Sequence, residues 1–160
     1  MTAELREAGE ADIAAIARIY AHHVLTGFAS FEEVPPEAAE LDRRRRDVIG
    51  RGLPYLVAEA GGSLVGFAYA APFRQRSAYR YTLEDSVYVA AEATRQGHGR
   101  RLLGALIDRC TQAGYRQMIA VIGDVGNSAS LGLHQALGFT QSGRLPAVGF
   151  KRGRWIDSVL

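Results

Sequence analysis

The hydrophobic positions along the chain change period several times, and the changes mark out its elements. A short strand is expected near Glu4 to Glu7. From Glu10 to Val24 the apolar residues Ile13, Ile16, Ala17, Ile19, Tyr20 and Val24 recur at steps of three and four, which gathers them on one face of a helix. Gly27 stops that helix. The stretch 27–36 carries two aromatics without periodicity and ends in Pro35-Pro36, so it reads as a loop. A second helix, opened by Pro36, runs to about Gly50. Tyr55–Ala60 and Ser63–Ala71 are β-rich runs joined by Gly61-Gly62, the signature of a tight antiparallel hairpin.

The second half alternates more regularly. Tyr81–Val89 reads as a strand, followed by a polar, glycine-containing loop and a helix from about Gly99 to Ala113. Leu102, Leu103, Leu106, Ile107 and Cys110 form its buried stripe, and Gly114 ends it. Met118–Ile122 is continuously apolar, as expected of a strand covered on both faces. Asn127–Leu137 reads as a third core helix between an Asn at its start and Gly138. Phe139–Ser142 and Ala147–Trp155 would finish the sheet. The order is mixed α/β, an antiparallel front half followed by a strand-helix-strand crossover.

Composition narrows this further. With 160 residues, 48% hydrophobic and 22% charged, the chain suits one core, so a single domain over 1–160 is expected. No window reaches the ~18 uncharged apolar residues of a membrane span. Cys110 alone makes no intrachain disulfide, and His22, His23, His98 and His134 lack zinc-site spacing, so no metal is expected. Met1-Thr2-Ala3-Glu4 does not begin a signal peptide, which points to the cytoplasm. The net charge of +2 is too small for a nucleic-acid coat. The dense run Arg43–Arg46 interleaves with Glu37, Glu40, Asp42 and Asp47 at helical pair spacing, which favours a solvated helix face over a phosphate patch.

The most informative stretch is Leu83-Glu84-Asp85-Ser86-Val87-Tyr88-Val89, followed by Thr94-Arg95-Gln96-Gly97-His98-Gly99-Arg100 and the helix it opens. A strand feeding a glycine turn into a helix N-terminus aims several backbone N–H groups and the helix dipole at one spot, which favours a phosphate. Gly97 and Gly99 allow close backbone approach, and Arg95 and Arg100 add charge. The stretch is neither a dinucleotide fingerprint nor a P-loop. Taken alone, it is equally well explained as a tight loop that needs glycine for its geometry.

Order and spacing decide more than any one motif. The strand ending Ser86-Val87-Tyr88-Val89, the Gly97-x-Gly99 loop, a short apolar strand, and Asn127-x-x-Ser130-x-x-Leu133-His134-x-x-x-Gly138-Phe139 together resemble the GNAT superfamily of N-acetyltransferases. Within it, Tyr81–Val89, Ala120-Val121-Ile122-Gly123, Leu133–Phe139 and Gly149-Phe150-Lys151-x-Gly153-x-Trp155-x-Asp157 resemble phosphinothricin/methionine sulfoximine N-acetyltransferases. The resemblance implies a mostly antiparallel mixed sheet with a splayed central parallel strand pair flanked by helices. It also implies acetyl-CoA as cosubstrate, transfer to the α-amine of a small amino-acid-like acceptor, resistance to the corresponding herbicide, and a homodimer, with Trp155 a candidate for its interface.

It also assigns residues. The backbone of Val87, Tyr88 and Val89 would hold the pantetheine arm, and Arg95, Gln96, Gly97, His98, Gly99 and Arg100 would wrap the pyrophosphate. Asn127 would contact the pantetheine or thioester region, unless it serves only as a helix N-cap. One departure stands at Thr94, where the superfamily usually has Gln or Arg. The acceptor ammonium must lose a proton before it attacks, and Glu84 is the expected base, with Asp85 second and on the opposite face of a regular strand. His134 would protonate the departing thiolate or orient a ligand; a packed helical histidine is the structural alternative. No side chain is needed for the oxyanion, which the Val87 N–H would stabilise.

The acceptor side falls to Arg74, Arg76 and Arg80, whose guanidinium groups can grip a carboxylate, with Arg76 first. Phe28, Phe31 and Glu32 would form a lid over the acceptor side chain, or plug the core. Rival expectations are acetylation of a polyamine, an aminoglycoside or a protein N-terminus, and a silent acyl-CoA-binding module lacking the base. Binding of nucleic acid through Arg43–Arg46 ranks last.

Overall fold

The Gly61-Gly62 turn joins β2 (Tyr55–Ala60) to β3 (Ser63–Pro72), and around that hairpin a five-stranded sheet assembles in the order β1-β2-β3-β4-β5. The flanking strands are β1 (Glu4–Glu7), β4 (Thr82–Val89) and β5 (Gln117–Ile119). The computed structural model describes residues 3–160. All pairings are antiparallel except β4 with β5, which run parallel. That parallel contact is brief: Thr82, Leu83 and Glu84 face Gln117, Met118 and Ile119, and then the strands part. After two more residues β6 (Ile122–Gly123) pairs instead with β8 (Arg154–Val159), which pairs with β7 (Arg144–Lys151) in a second antiparallel sheet. The expected fold, a mostly antiparallel mixed sheet with a splayed parallel pair, is therefore present, in two sheets.

Helices cover the larger sheet. One 3-10 turn at Glu10–Asp12 leads into α1 (Ile13–Thr26), which buries Ile13, Ile16, Ile19, Tyr20 and Val24 as its periodicity requires. α3 (His98–Gln112) buries Leu102, Leu103, Leu106 and Cys110. These meet Leu56, Val57, Phe67 and Leu83 from the strands in one core. α2 (Ala38–Gly50) carries the arginine run, and it is not a free cationic face. Arg43 and Arg44 bind Glu40, Arg45 is buried on Asp42 and the Ala8 carbonyl, and Arg46 reaches Asp42 at 3.0 Å. Cations already paired on their own helix offer little to a polyanion, which removes the basis for a phosphate patch.

Three sequence expectations change. Met118–Ile122 is not one strand covered on both faces: it divides at Ala120, where the chain leaves the first sheet for the second, and Val121 is exposed, while Met118, Ile119, Ala120 and Ile122 border an open cavity of about 640 Å3. Phe139–Ser142 forms no strand, since Phe139 is held by its N–H to the His134 carbonyl at 3.0 Å and by an edge-on contact with the His134 ring. The run Ala147–Trp155 is broken by a hairpin turn at Arg152-Gly153, both at positive φ (54° and 74°), so two strands occupy what reads as one.

α4 (Ser128–Ala136) departs from expectation in another way. It reads as a core helix, yet its only buried residue is His134.

Candidate active site

The site grows from the point where β4 leaves β5. β4 pairs with β3 in unbroken register from Leu83 opposite Pro72 to Val89 opposite Gly66, so alternation holds without a bulge. Glu84 and Asp85 therefore point to opposite faces. Glu84 is the last residue of β4 with a β5 partner, Ile119. Its carboxyl is half-buried and, among the described residues, accepts no side-chain hydrogen bond. Burial first, and then the neighbouring charge of Asp85, push its pKa above the ordinary glutamate value. A carboxylate that prefers its proton and yet stands open is suited to take one from an ammonium.

Asp85 lies on the other face, 7% exposed, with Oδ2 2.8 Å from His134 Nε2 and Oδ1 buried without a partner. His134 Nδ1 lies 2.7 Å from the Ser130 carbonyl. Both ring nitrogens are thus engaged within the protein. The sequence placed His134 near the departing thiolate; the structure gives it prior partners on α4 and β4.

Beyond Glu84 the β5-facing edge of β4 has no strand partner, and in unbroken alternation that edge is presented by Val87 and Val89, while the backbone of Tyr88 faces Phe67 on β3. Val89 differs, because its carbonyl accepts a 2.8 Å hydrogen bond from His23 Nε2 on α1. Burial pulls His23 below the ordinary imidazole value, which keeps the ring neutral and its Nε2–H committed to that carbonyl. Of the three residues expected to hold pantetheine, Val89 has its carbonyl already spoken for.

The loop after β4 contains one 3-10 turn, Ala91–Ala93, and then enters α3 through Gly97 at φ 80°. Gly99 has a different reason to be glycine: a Cβ there would stand 3.3 Å from Leu133 and 3.5 Å from Val89, so the Leu133 side chain would have to give by a few tenths of an ångström where α3 meets β4 and α4. As in any helix, the first-turn N–H groups of His98, Gly99 and Arg100 lack intrahelical acceptors and point outward. Arg95 and Arg100 are exposed beside them. Arg95 sits at φ 61°, a left-handed conformation that a side chain adopts at a cost. Gln96 folds back toward the Glu92 carbonyl at 3.4 Å. Thr94 turns its hydroxyl to the Ala91 carbonyl at 3.2 Å. His98 is 4% exposed with neither ring nitrogen bonded, so the loop offers its backbone, not its ring.

Segment 27–36 proves to be pinned on several sides. Asn127 donates to the Gly123 carbonyl at 2.7 Å and the Phe28 carbonyl at 3.3 Å, and makes no side-chain cap on α4. Lys151, the only lysine and 2% exposed, donates to the Ser30 carbonyl at 2.7 Å, and burial pulls its pKa down. Tyr20 joins Ser30 at 2.8 Å and donates to Glu32. Arg44 grips Glu32 with two hydrogen bonds of 2.8 and 3.0 Å, which hold its carboxyl below the ordinary range. Phe31 sits in a slot that Gly123 and Gly149 leave open: a Cβ would meet its ring at 2.7 Å from the first and 2.5 Å from the second. The Arg154 guanidinium covers Phe28 at 5.7 Å. A segment held this way is a fixed wall, not a swinging lid, and Glu32 spends both oxygens holding it. Sequence reading missed Tyr20, His23, Ser30, Arg44 and Lys151; the lone lysine was the one visible signal.

The β3–β4 connection, residues 73–81, ends three residues before Glu84. Arg74 lies over Phe73 and Tyr79, and Arg80 over Tyr81, which fixes both to aromatic rings. Arg76 is exposed and, among the described residues, has no partner. The large cavity beside β5 is lined by Phe73, Tyr79, Met118, His134 and Leu160, but not by Val87–Val89 or residues 95–100. It is therefore distinct from the expected cofactor groove.

The arrangement can deprotonate an amine at Glu84 and seat an anionic, phosphate-bearing ligand at α3. Known proteins similar to this chain identify its family. A phosphinothricin N-acetyltransferase of Alcaligenes faecalis is 62% identical over 149 residues, 93% of this chain and 76% of that protein. An L-methionine sulfoximine/L-methionine sulfone acetyltransferase of Pseudomonas aeruginosa is 41% identical over 98% of this chain and 91% of its own. The crystal structure of a GNAT superfamily phosphinothricin acetyltransferase from Sinorhizobium meliloti in complex with AcCoA superposes with a TM-score of 0.96, at 49% identity over 99% of this chain and 86% of that one. Residues 15–139 match the Acetyltransferase (GNAT) family. The chain belongs to the GNAT acetyltransferase family.

Proposed function

We propose that the protein transfers the acetyl group of acetyl-CoA to the α-amine of a small amino-acid-like acceptor of the phosphinothricin, methionine sulfoximine or methionine sulfone type. The observation that carries this reading is Glu84, a half-buried carboxyl with a raised pKa at the mouth of the β4–β5 wedge. The relatives named above act on such acceptors, and that supports the choice of amine.

Each step follows from a residue. The first-turn N–H groups of α3, with Arg95 and Arg100, hold the pyrophosphate. The open β4 edge at Val87 takes the pantetheine arm. Arg76, the arginine of its segment without a partner, grips the acceptor carboxylate. Glu84 takes the ammonium proton, directly or through one water, and the freed amine attacks the thioester carbon in a ternary complex. The Val87 N–H stabilises the oxyanion, and the C–S bond breaks to release the CoA thiolate. Cys110 takes no part, since its thiol is buried beneath α3 and pushed up to about 11.

The whole of 1–160 works as one domain in the cytoplasm, without a metal. It pairs with a second copy through the β7–β8 hairpin, where Val148, Phe150 and Trp155 stand 55%, 55% and 68% exposed. No helix among the described residues is long and apolar enough to cross a membrane.

The test is thiol release from acetyl-CoA against phosphinothricin, methionine sulfoximine, methionine sulfone, a polyamine, an aminoglycoside and an N-terminal peptide. Turnover confined to the first three supports the proposal. Acetyl-CoA binding with no turnover would leave a silent binding module, and turnover of the polyamine alone would remove Arg76 from the site.

A further inference from the structure

α4 is docked in an unusual way. Its one buried side chain is polar, and that side chain, His134, has an acceptor on each ring nitrogen: the Ser130 carbonyl at 2.7 Å and Asp85 at 2.8 Å. A carbonyl oxygen only accepts, so Nδ1 must carry a proton. Asp85, as a carboxylate, also only accepts, so Nε2 must carry or share a second one. Neutral imidazole has one ring proton, and the contact between α4 and β4 therefore holds one proton more than its separated parts do at high pH. The side chains of the pair are 8% and 2% exposed, so water cannot replace either partner. Asp85 Oδ1, buried and unpartnered, leaves the carboxylate no alternative donor.

We infer that Asp85 is a positioning residue that acts through His134: the proton they share docks α4 against β4, and so sets the shape and the acetyl-CoA affinity of the groove. The link to affinity rests on the placement of acetyl-CoA proposed above; the docking does not. α4 adjoins that groove directly, because Leu133 packs within 3.3 Å of where a Cβ at Gly99 would stand.

The surroundings fix the sign. The titratable groups near the pair are Glu84 on β4, the Cys110 thiol on α3, and the phenol of Tyr79, which lines the same cavity. None supplies a competing cation. Burial pulls the His134 pKa down, but the hydrogen bond and charge of Asp85, with the Ser130 carbonyl, push it above the ordinary imidazole value on balance. A raised value in the docked state means docking is complete below the undocked pKa of ~6.5. It weakens by up to about tenfold per pH unit as pH rises from there to the pair's own titration point.

The experiment uses the intact native protein and Asp85→Asn. In the variant, the Asn amide can donate to an unprotonated Nε2, so the hydrogen bond survives without the extra proton. Ring 15N NMR should show native His134 titrating above the ordinary imidazole value. Hydrogen exchange at α4 amides, taken relative to the intrinsic base-catalysed rate at each pH, should accelerate through that titration, and the acetyl-CoA Kd should rise with it. Asp85→Asn should flatten both profiles. A native His134 that titrates at the ordinary value overturns the proposal even if the variant fails to fold, and so does a variant that keeps the pH dependence. If α4 exchange follows pH but Kd stays flat, the docking stands, while the coupling and the placement of acetyl-CoA against α4 fall.

Discussion

Gly149→Ala tests, through one atom, the pinned segment 27–36, whose Phe31 is proposed to border the acceptor. A Cβ at 149 would lie 2.5 Å from Phe31 Cε2 and 3.0 Å from two more ring atoms, far inside van der Waals contact, with no backbone atom among its nearest neighbours. The ring, not the strand, must give way, so the cost is bounded by what the slot contributes to Phe31. Phe31 is 41% exposed. Burying the remaining three-fifths of a ~200 Å2 side chain removes roughly 120 Å2 from water, which at ~25 cal/mol per Å2 is worth at most about 3 kcal/mol. Gly149→Ala should therefore destabilise by about 1–3 kcal/mol in urea unfolding at unchanged m, and raise the acceptor KM while leaving the acetyl-CoA Kd alone. Phe31→Ala should cost a similar amount, and the double variant little more than either, because the added methyl then fills space the ring has left. The coupling should exceed about 1 kcal/mol. Strictly additive losses, or a Gly149→Ala enzyme with unaltered acceptor KM, would show that Phe31 does not depend on the slot.

Glu84→Gln should lower kcat by roughly 10²–10⁴-fold with acetyl-CoA binding retained, as measured by thiol release and titration calorimetry; an unchanged rate removes Glu84 from the mechanism. The same group sets the acid limb of kcat/KM. Glu84 must be ionised to act, so activity should fall as pH drops through its raised pKa, at higher pH than an ordinary glutamate of ~4.3 would allow. Arg76→Ala should raise acceptor KM by about tenfold or more, whereas Arg74→Ala, whose guanidinium is held over two rings, should change it far less. Lys151→Met removes the donor to the Ser30 carbonyl and should cost about 1–3 kcal/mol in thermal or urea unfolding. With native Lys151, burial favours the neutral amine, so its contribution to stability should improve as pH rises toward the ordinary lysine value of ~10.4.

What could be read in the sequence followed from local periodicity and spacing. Ile13, Ile16, Ile19, Tyr20 and Val24 lie on the buried face of α1 because a step of three or four is geometry. Gly97 and Gly99 announced a constrained strand-to-helix turn, and the structure gives them two different constraints. What stayed illegible depends on partners distant in sequence. Lys151 and Ser30 are separated by 121 positions, and Asn127 and Phe28 by 99, so no local pattern betrays that segment 27–36 is tied down. The turn at Arg152-Gly153 was hidden because arginine is a poor advertisement for positive φ. α4 was misread as a core helix because Leu131, Leu133 and Leu137 have helical spacing, yet all three are only partly buried, and the buried position on the helix belongs to a histidine.

Placing Glu84 and Asp85 side by side on a regular strand gives β4 two chemistries on two faces. The first is open enough to exchange a proton with a substrate, and the second is closed enough to keep one. Their separation is not electrically complete, because the Asp85 charge helps raise the Glu84 pKa. When His134 carries the shared proton, its positive charge offsets Asp85, and Glu84 then feels less of that charge than it does once the proton has gone. Raising pH through the His134 titration should thus make Glu84 a slightly stronger base as it loosens α4, so the chemical step and cofactor binding should respond to pH in opposite directions. A single-turnover rate that rises across the interval in which acetyl-CoA affinity falls would display both faces of the strand at once, and parallel declines would mean that the two carboxylates do not communicate.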